Sequence, residues 1–127
     1  MRILLVEDER HVRVALARAL TAHGHVVVEC ADGSIAFDAL GADVDDPVEL
    51  LVLDVNLPDT TGWEILRRLG AEGRGAIPTI VMSAVRPSST RLREFEPDAV
   101  LLKPFPIDAL IRAVERVGAT TTSQEVQ

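Results

Sequence analysis

Four side chains with the chemistry of an ion or phosphate site stand at the ends of apolar runs. Glu7 and Asp8 follow Ile3-Leu4-Leu5-Val6, Asp54 follows Leu50-Leu51-Val52-Leu53, and Lys103, with Pro104 behind it, follows Val100-Leu101-Leu102. If these runs are parallel strands, their carboxyl ends share one rim, which is where open α/β sheets form ligand sites. Three carboxylates drawn together there repel one another. A pair 4 Å apart costs ~4 kcal/mol at an effective dielectric near 20. The grouping therefore implies a divalent cation as well as the lysine, and hard oxygen donors favour Mg²⁺, with Mn²⁺ also acceptable. Mg²⁺ held by one or two carboxylates commonly takes phosphate oxygens for its remaining positions, so a phosphate-handling site is expected.

The elements that must bring these residues together are legible in the pattern. Short apolar runs rich in Val, Ile and Leu recur at 3–6, 26–28, 50–53, 77–82 and 99–102. Each is followed by residues at helical spacing, and continuous apolar strands alternating with helices read as a buried parallel sheet. Val12, Leu16, Ala19 and Leu20 mark a first helix that Gly24 would close. Ser34 to Leu40 forms a shorter second helix, preceded by Asp32-Gly33 and followed by a polar loop over 41–47, with no strong local caps. Thr61 and Glu64 have the spacing of a capping box, and Ile65, Leu66 and Leu69 supply the stripe of a third helix stopping at Gly70. Only about two turns carrying Leu92 and Phe95 fit between Ser83 and Asp98, where Pro87 and Pro97 intervene. Pro106 in a first turn, then Ile107, Leu110, Ile111, Val114 and Val117, mark the fifth helix. Right-handed crossovers give a doubly wound five-stranded parallel sheet in the order 2-1-3-4-5, flavodoxin-like, with helices on both faces. That order makes strands one and three neighbours, so Glu7, Asp8 and Asp54 meet.

Composition narrows the field further. A chain of 127 residues suits one domain; residues 1–118 are read as that domain and 119–127 as a polar C-terminal tail or linker stub. Thirteen Lys and Arg against twenty Asp and Glu give a net charge of −7, which argues against direct nucleic-acid binding and against an anionic membrane surface. Neither a membrane span nor a signal peptide is legible, and the single Cys30 agrees with a reducing compartment, so a cytoplasmic protein is expected. Cys30 itself reads as a small residue at a strand end. His11, His23 and His25 read as surface or capping residues, Trp63 as half-exposed packing, and Arg67, Arg68 and Arg74 as a solvated helix end.

The ordered set Val6-Glu7-Asp8, Gly24-His25, Ala31-Asp32-Gly33, Leu53-Asp54-Val55-Asn56-Leu57-Pro58, Gly62, Ser83-Ala84 and Lys103-Pro104-Phe105 resembles the receiver domain of two-component response regulators, of the chemotaxis-regulator kind, from Ile3 to about Val117. The resemblance implies that Asp54 is the nucleophile that takes a phosphoryl group from a sensor histidine kinase or a histidine phosphotransfer protein. It implies that Asp8 ligates Mg²⁺ directly, Glu7 largely through water, Asp54 through its own carboxylate, and Asn56 through its backbone carbonyl. Lys103 and Ser83 would contact the phosphoryl oxygens, and Pro104 would follow a cis bond. The resemblance further implies slow self-dephosphorylation without enzyme activity toward other molecules, output to a downstream protein or attached domain, and room for a homodimer.

The chain departs from the family's pattern between Ser83 and Lys103. Val100 stands where an aromatic switch residue is usual, and Glu96-Pro97 stands where a Gly-Ala pair is expected, in a segment shorter than is common. An alternative reading is accordingly a degenerate receiver acting as a constitutive protein-interaction module with atypical switching. A haloacid-dehalogenase-type phosphatase needs a second acid two residues after its nucleophile, and position 56 is Asn. A dinucleotide-binding fold needs a Gly-x-Gly-x-x-Gly after strand one, where Glu7-Asp8-Glu9 stands.

Overall fold

The computed structural model describes residues 1–41 and 45–126, the last seven of these by backbone alone. Five strands and five helices alternate: β1 (Arg2–Val6), α1 (Arg10–Ala22), β2 (Val26–Cys30), α2 (Gly33–Gly41), β3 (Leu50–Asp54), α3 (Gly62–Ala71), β4 (Thr79–Ser83), α4 (Ser89–Phe95), β5 (Ala99–Leu102) and α5 (Ile107–Val126). All pairings are parallel and the sheet order is β2-β1-β3-β4-β5, as expected. The expected polar loop over 41–47 falls partly outside the described residues.

Both faces of the sheet are covered, which is why its central strands read as unbroken apolar runs. One face packs Ile3, Leu5, Val52 and Ile80 against Leu16 and Leu20 of α1 and Leu110 and Val114 of α5. The other packs Leu4, Val6, Leu51 and Leu53 against Ala36 and Leu40 of α2 and Ile65 and Leu69 of α3. Each Leu or Ile fully buried in this way contributes about 1.5–3 kcal/mol. Among the described residues no helix is long and apolar enough to cross a membrane.

Local signals explain most boundaries. Gly24 takes φ +89 just after α1, a conformation that costs other residues dearly. Thr61 caps α3 by accepting from the Glu64 backbone N–H. Ser88 does the same for α4 through the Arg91 N–H. Gly118 does not end α5. Its φ is not positive, so it forms no left-handed cap, and the backbone stays helical through the segment expected as a tail, to Val126.

One surface expectation is corrected, and one, the arginines of the α3 end, is extended. Trp63 is buried, only 7% exposed, with its ring stacked on Phe95 of α4 at 5.4 Å between centroids. The three arginines are engaged rather than merely solvated. Arg67 bonds Glu64 at 2.7 Å and Glu94 at 3.2 Å, Arg68 lies 3.8 Å over the Phe37 ring, and Arg74 donates to the Leu40 carbonyl. These contacts tie α3 to both of its neighbouring helices, α2 and α4.

Candidate functional site

Strand register assembles the site. Val6 pairs with Leu53, so the next residues, Glu7 and Asp54, emerge side by side at the carboxyl rim. Ser83 pairs with Leu102, and the Lys103 N–H donates to the Ser83 carbonyl at 2.8 Å, which brings the lysine over the same rim. The Lys103-Pro104 peptide is cis, as the resemblance implied.

Lys103 Nζ donates to Glu7 Oε1 at 2.7 Å and to Asp54 Oδ2 at 2.9 Å. The Asn56 N–H donates to the other oxygen, Asp54 Oδ1, at 3.2 Å. Both carboxylates are withdrawn from solvent, with side chains 0% and 6% exposed, whereas Asp8 is exposed. Ligand oxygens of Glu7, Asp8 and Asp54 all lie within 4.8 Å of one another. Burial, with the adjacent Asp54 carboxylate, pushes the Glu7 carboxyl up to about 7 against the opposing pull of Lys103. Burial alone would lower the lysine, but its bonds to Asp54 and Glu7 outweigh that and hold its ammonium above the usual range.

These residues fit a hard divalent cation. The donors are all carboxylate oxygens, and Glu7 Oε2 is buried with no hydrogen-bond partner, an orphaned acceptor that a cation or its water shell would satisfy. Asn56 belongs to the rim through its backbone while its residue is exposed.

Ser83 is the expected site residue that the structure turns elsewhere. It is buried at the end of β4, but its Oγ donates to the Val85 carbonyl at 2.6 Å and accepts from the Val85 N–H at 3.3 Å. Its hydroxyl is therefore committed to its own loop. Val100, in place of an aromatic, is half-buried and pairs with Val81.

Three further residues support the site, of which Arg13 and Asp59 escaped the sequence. Gly62 lies so close to Asp54 that a Cβ there would stand 2.7 Å from the Asp54 carbonyl oxygen, which only glycine allows. Arg13 Nη1 donates to the Glu7 carbonyl at 3.0 Å, fixing the strand end from α1. Asp59 accepts from the N–H groups of Gly33 and Ser34, each at 2.9 Å, and so adds a cap from across the fold to the local one that Asp32 provides by accepting from the Ile35 N–H, which corrects the expectation that α2 has no strong cap. Gly62 had a visible signal in its place within the motif. The other two act across the fold.

A family model described as the response regulator receiver domain matches residues 3–115. The transcriptional regulatory protein TcrA of Mycobacterium tuberculosis is 40% identical over 124 residues, which cover 93% of this chain and 47% of that protein. The response regulator MprA of Mycobacterium avium is 37% identical over 127 residues, covering 98% of this chain and 54% of its own length. The chain thus spans about half the length of these curated relatives. A CheY-like receiver domain protein from Methanospirillum hungatei superposes with a TM-score of 0.81 at 21% identity, covering 96% of this chain and 97% of that one, a likeness of fold.

Proposed function

The chain belongs to the response regulator receiver domain family, and from that premise we propose that Asp54 is its phosphoacceptor. The observation that carries the reading is the environment of one carboxylate. Lys103 and the Asn56 amide each hold one Asp54 oxygen, and oxygens of Glu7 and Asp8 lie within 4.8 Å.

In the reaction, an Asp54 oxygen attacks the phosphorus of a phosphohistidine on a histidine kinase or histidine phosphotransfer protein. A P–O bond forms to the carboxylate, the P–N bond breaks, and the imidazole leaves with the electron pair and takes up a proton. Asn56 and Lys103 orient the nucleophile before attack, and the Lys103 ammonium follows the charge onto the phosphoryl oxygens. Glu7, Asp8, Asp54 and the Asn56 carbonyl are the residues that would hold Mg²⁺ or Mn²⁺, which when bound supplies charge neutralisation and Lewis-acid stabilisation of phosphoryl oxygens. Water attacking the same phosphorus returns the free carboxylate and inorganic phosphate, so the protein slowly resets itself without being an enzyme toward other substrates.

Signalling in this proposal follows from Ser83. Donating to a phosphoryl oxygen requires its hydroxyl to leave the Val85 carbonyl, and that releases the loop leading to α4. Residues 1–118 act as the receiver unit and 119–127 as a polar C-terminal tail or linker stub. The matched relatives include transcriptional regulators, which supports output through an attached domain or a separate downstream protein rather than nucleic-acid contact by this acidic unit. We place this activity in the cytoplasm. The intact set of acids and lysine favours phosphoacceptance over a constitutive interaction module. Mg²⁺ with beryllium fluoride, which mimics a phosphoryl group, tests the assignment: a bound ¹⁹F signal is expected with the parent chain and not with Asp54→Asn, and the same signal from both would refute it.

A further inference from the structure

We infer that Asp59 is a positioning residue for the Asp54 site, acting through the loop between β3 and α3; the inference rests on the phosphoacceptor reading. That loop is a small closed hairpin. The Gly62 N–H donates to the Val55 carbonyl at 2.8 Å, Asn56 and Thr61 form an antiparallel bridge, and the Leu57 N–H donates to the Thr60 carbonyl at 3.2 Å. Its base carries Asn56, whose amide holds Asp54 Oδ1 at 3.2 Å. Its tip carries Asp59.

The tip is anchored on α2. Asp59 Oδ1 accepts from Gly33 N–H and Oδ2 from Ser34 N–H, both at 2.9 Å, while Asp32 Oδ1 takes the Ile35 N–H at 2.9 Å. A Cβ on Gly33 would stand 2.3 Å from the Thr60 methyl, so the loop lies directly on the helix start. The Gly33 and Ser34 amides also hold the Asp59 carboxyl below its ordinary range, which keeps it charged at the positive end of the helix.

The start of α2 is itself tied to the site. Three residues before Gly33, the Cys30 carbonyl accepts from the Glu7 N–H at 3.0 Å. A ring of backbone and side-chain bonds therefore runs from Glu7 through Cys30, Gly33, Asp59 and Asn56 to Asp54, and Lys103 closes it between the two acids. Among the described residues, the Asp59 carboxylate joins the α2 half of this ring to the loop half by hydrogen bonds, beside the packing of the Thr60 methyl on Gly33. Removing it lets the loop move away from α2 and takes the Asn56 amide and carbonyl out of alignment with Asp54. A plain helix cap would stabilise α2 without affecting the site.

The two roles separate in experiment. Labelling by radioactive acetyl phosphate is followed as a function of Mg²⁺ in the parent, Asp59→Ala and Asp59→Asn, alongside amide exchange of the metal-free proteins. The positioning role predicts that Asp59→Ala raises the half-saturating Mg²⁺ concentration about tenfold, as loss of an outer partner of a metal site does. Asp59→Asn, which keeps an acceptor, should lie nearer the parent, and Asn56 and Leu57 amides should exchange faster in Asp59→Ala. Unchanged Mg²⁺ dependence, or faster exchange confined to Gly33 and Ser34, would reduce Asp59 to a helix cap and overturn the inference. A parent chain that takes no label at all would instead remove the phosphoacceptor reading, and this inference with it.

Discussion

Lys103 Nζ stands 2.7 Å from Glu7 Oε1, a bond between residues 96 positions apart in the chain. The same ammonium reaches Asp54 at 2.9 Å, so a single cation serves two buried acids that would otherwise face each other. Without a divalent ion this is the main electrostatic support of the rim.

Lys103→Met should therefore destabilise the metal-free protein by about 2 kcal/mol, less than the loss of a fully buried partner because the lysine is 28% exposed. Urea unfolding in a chelator measures it. Added Mg²⁺ should stabilise the variant more than the parent, since binding to the folded state relieves repulsion that the amine no longer offsets. Equal stability of variant and parent in chelator would show that the ion pair contributes nothing.

Glu96 closes α4 with φ +46 and ψ 55, a left-handed geometry that disfavours a side chain. Glu96→Gly should raise stability by about 0.5–1 kcal/mol, because relief of strain exceeds the added freedom of the unfolded chain. Glu96→Ala should not, since it retains the Cβ. Thermal melts of both variants decide the matter, and a gain in the alanine variant would point away from backbone strain.

Cys30 is buried at the end of β2, and burial raises its thiol to about 11 from the ordinary 9.0. The folded chain then holds this proton more tightly than the unfolded one. The associated stability is complete below pH 9.0, and it falls as pH rises toward about 11. Native protein at about pH 8 should accordingly resist thiol reagents that label it rapidly in urea. Rapid labelling of the native chain would mean that β2 opens readily, and Cys30→Ala should remove part of the alkaline loss.

The rim was readable because each of its residues ends an apolar run, and parallel pairing leaves little choice about where such ends meet. Glu7, Asp8, Asp54 and Lys103 needed no more than strand order and register. Asp59 escaped because its bond to Gly33 spans 26 positions and follows no periodicity. Trp63 read as half-exposed because its cover is Phe95, on a helix of seven residues with none buried and almost no pattern. Residues 119–127 read as a tail because they are polar, but polar composition does not by itself end a helix, and Gly118 takes no left-handed turn that would. Ser83 shows a different limit. Its position was legible, while the rotamer that binds it to Val85 belongs to a conformational state.

Mass spectrometry of the chain after incubation with Mg²⁺ and acetyl phosphate, followed by borohydride trapping and peptide mapping, tests the central claim most directly. Hydride displaces the phosphate from the acyl phosphate and leaves a reduced, alcohol side chain, which should map to position 54 and be absent from Asp54→Asn. Reduction at another residue, or reduction that persists in that variant, would contradict the assignment of Asp54 as the acceptor.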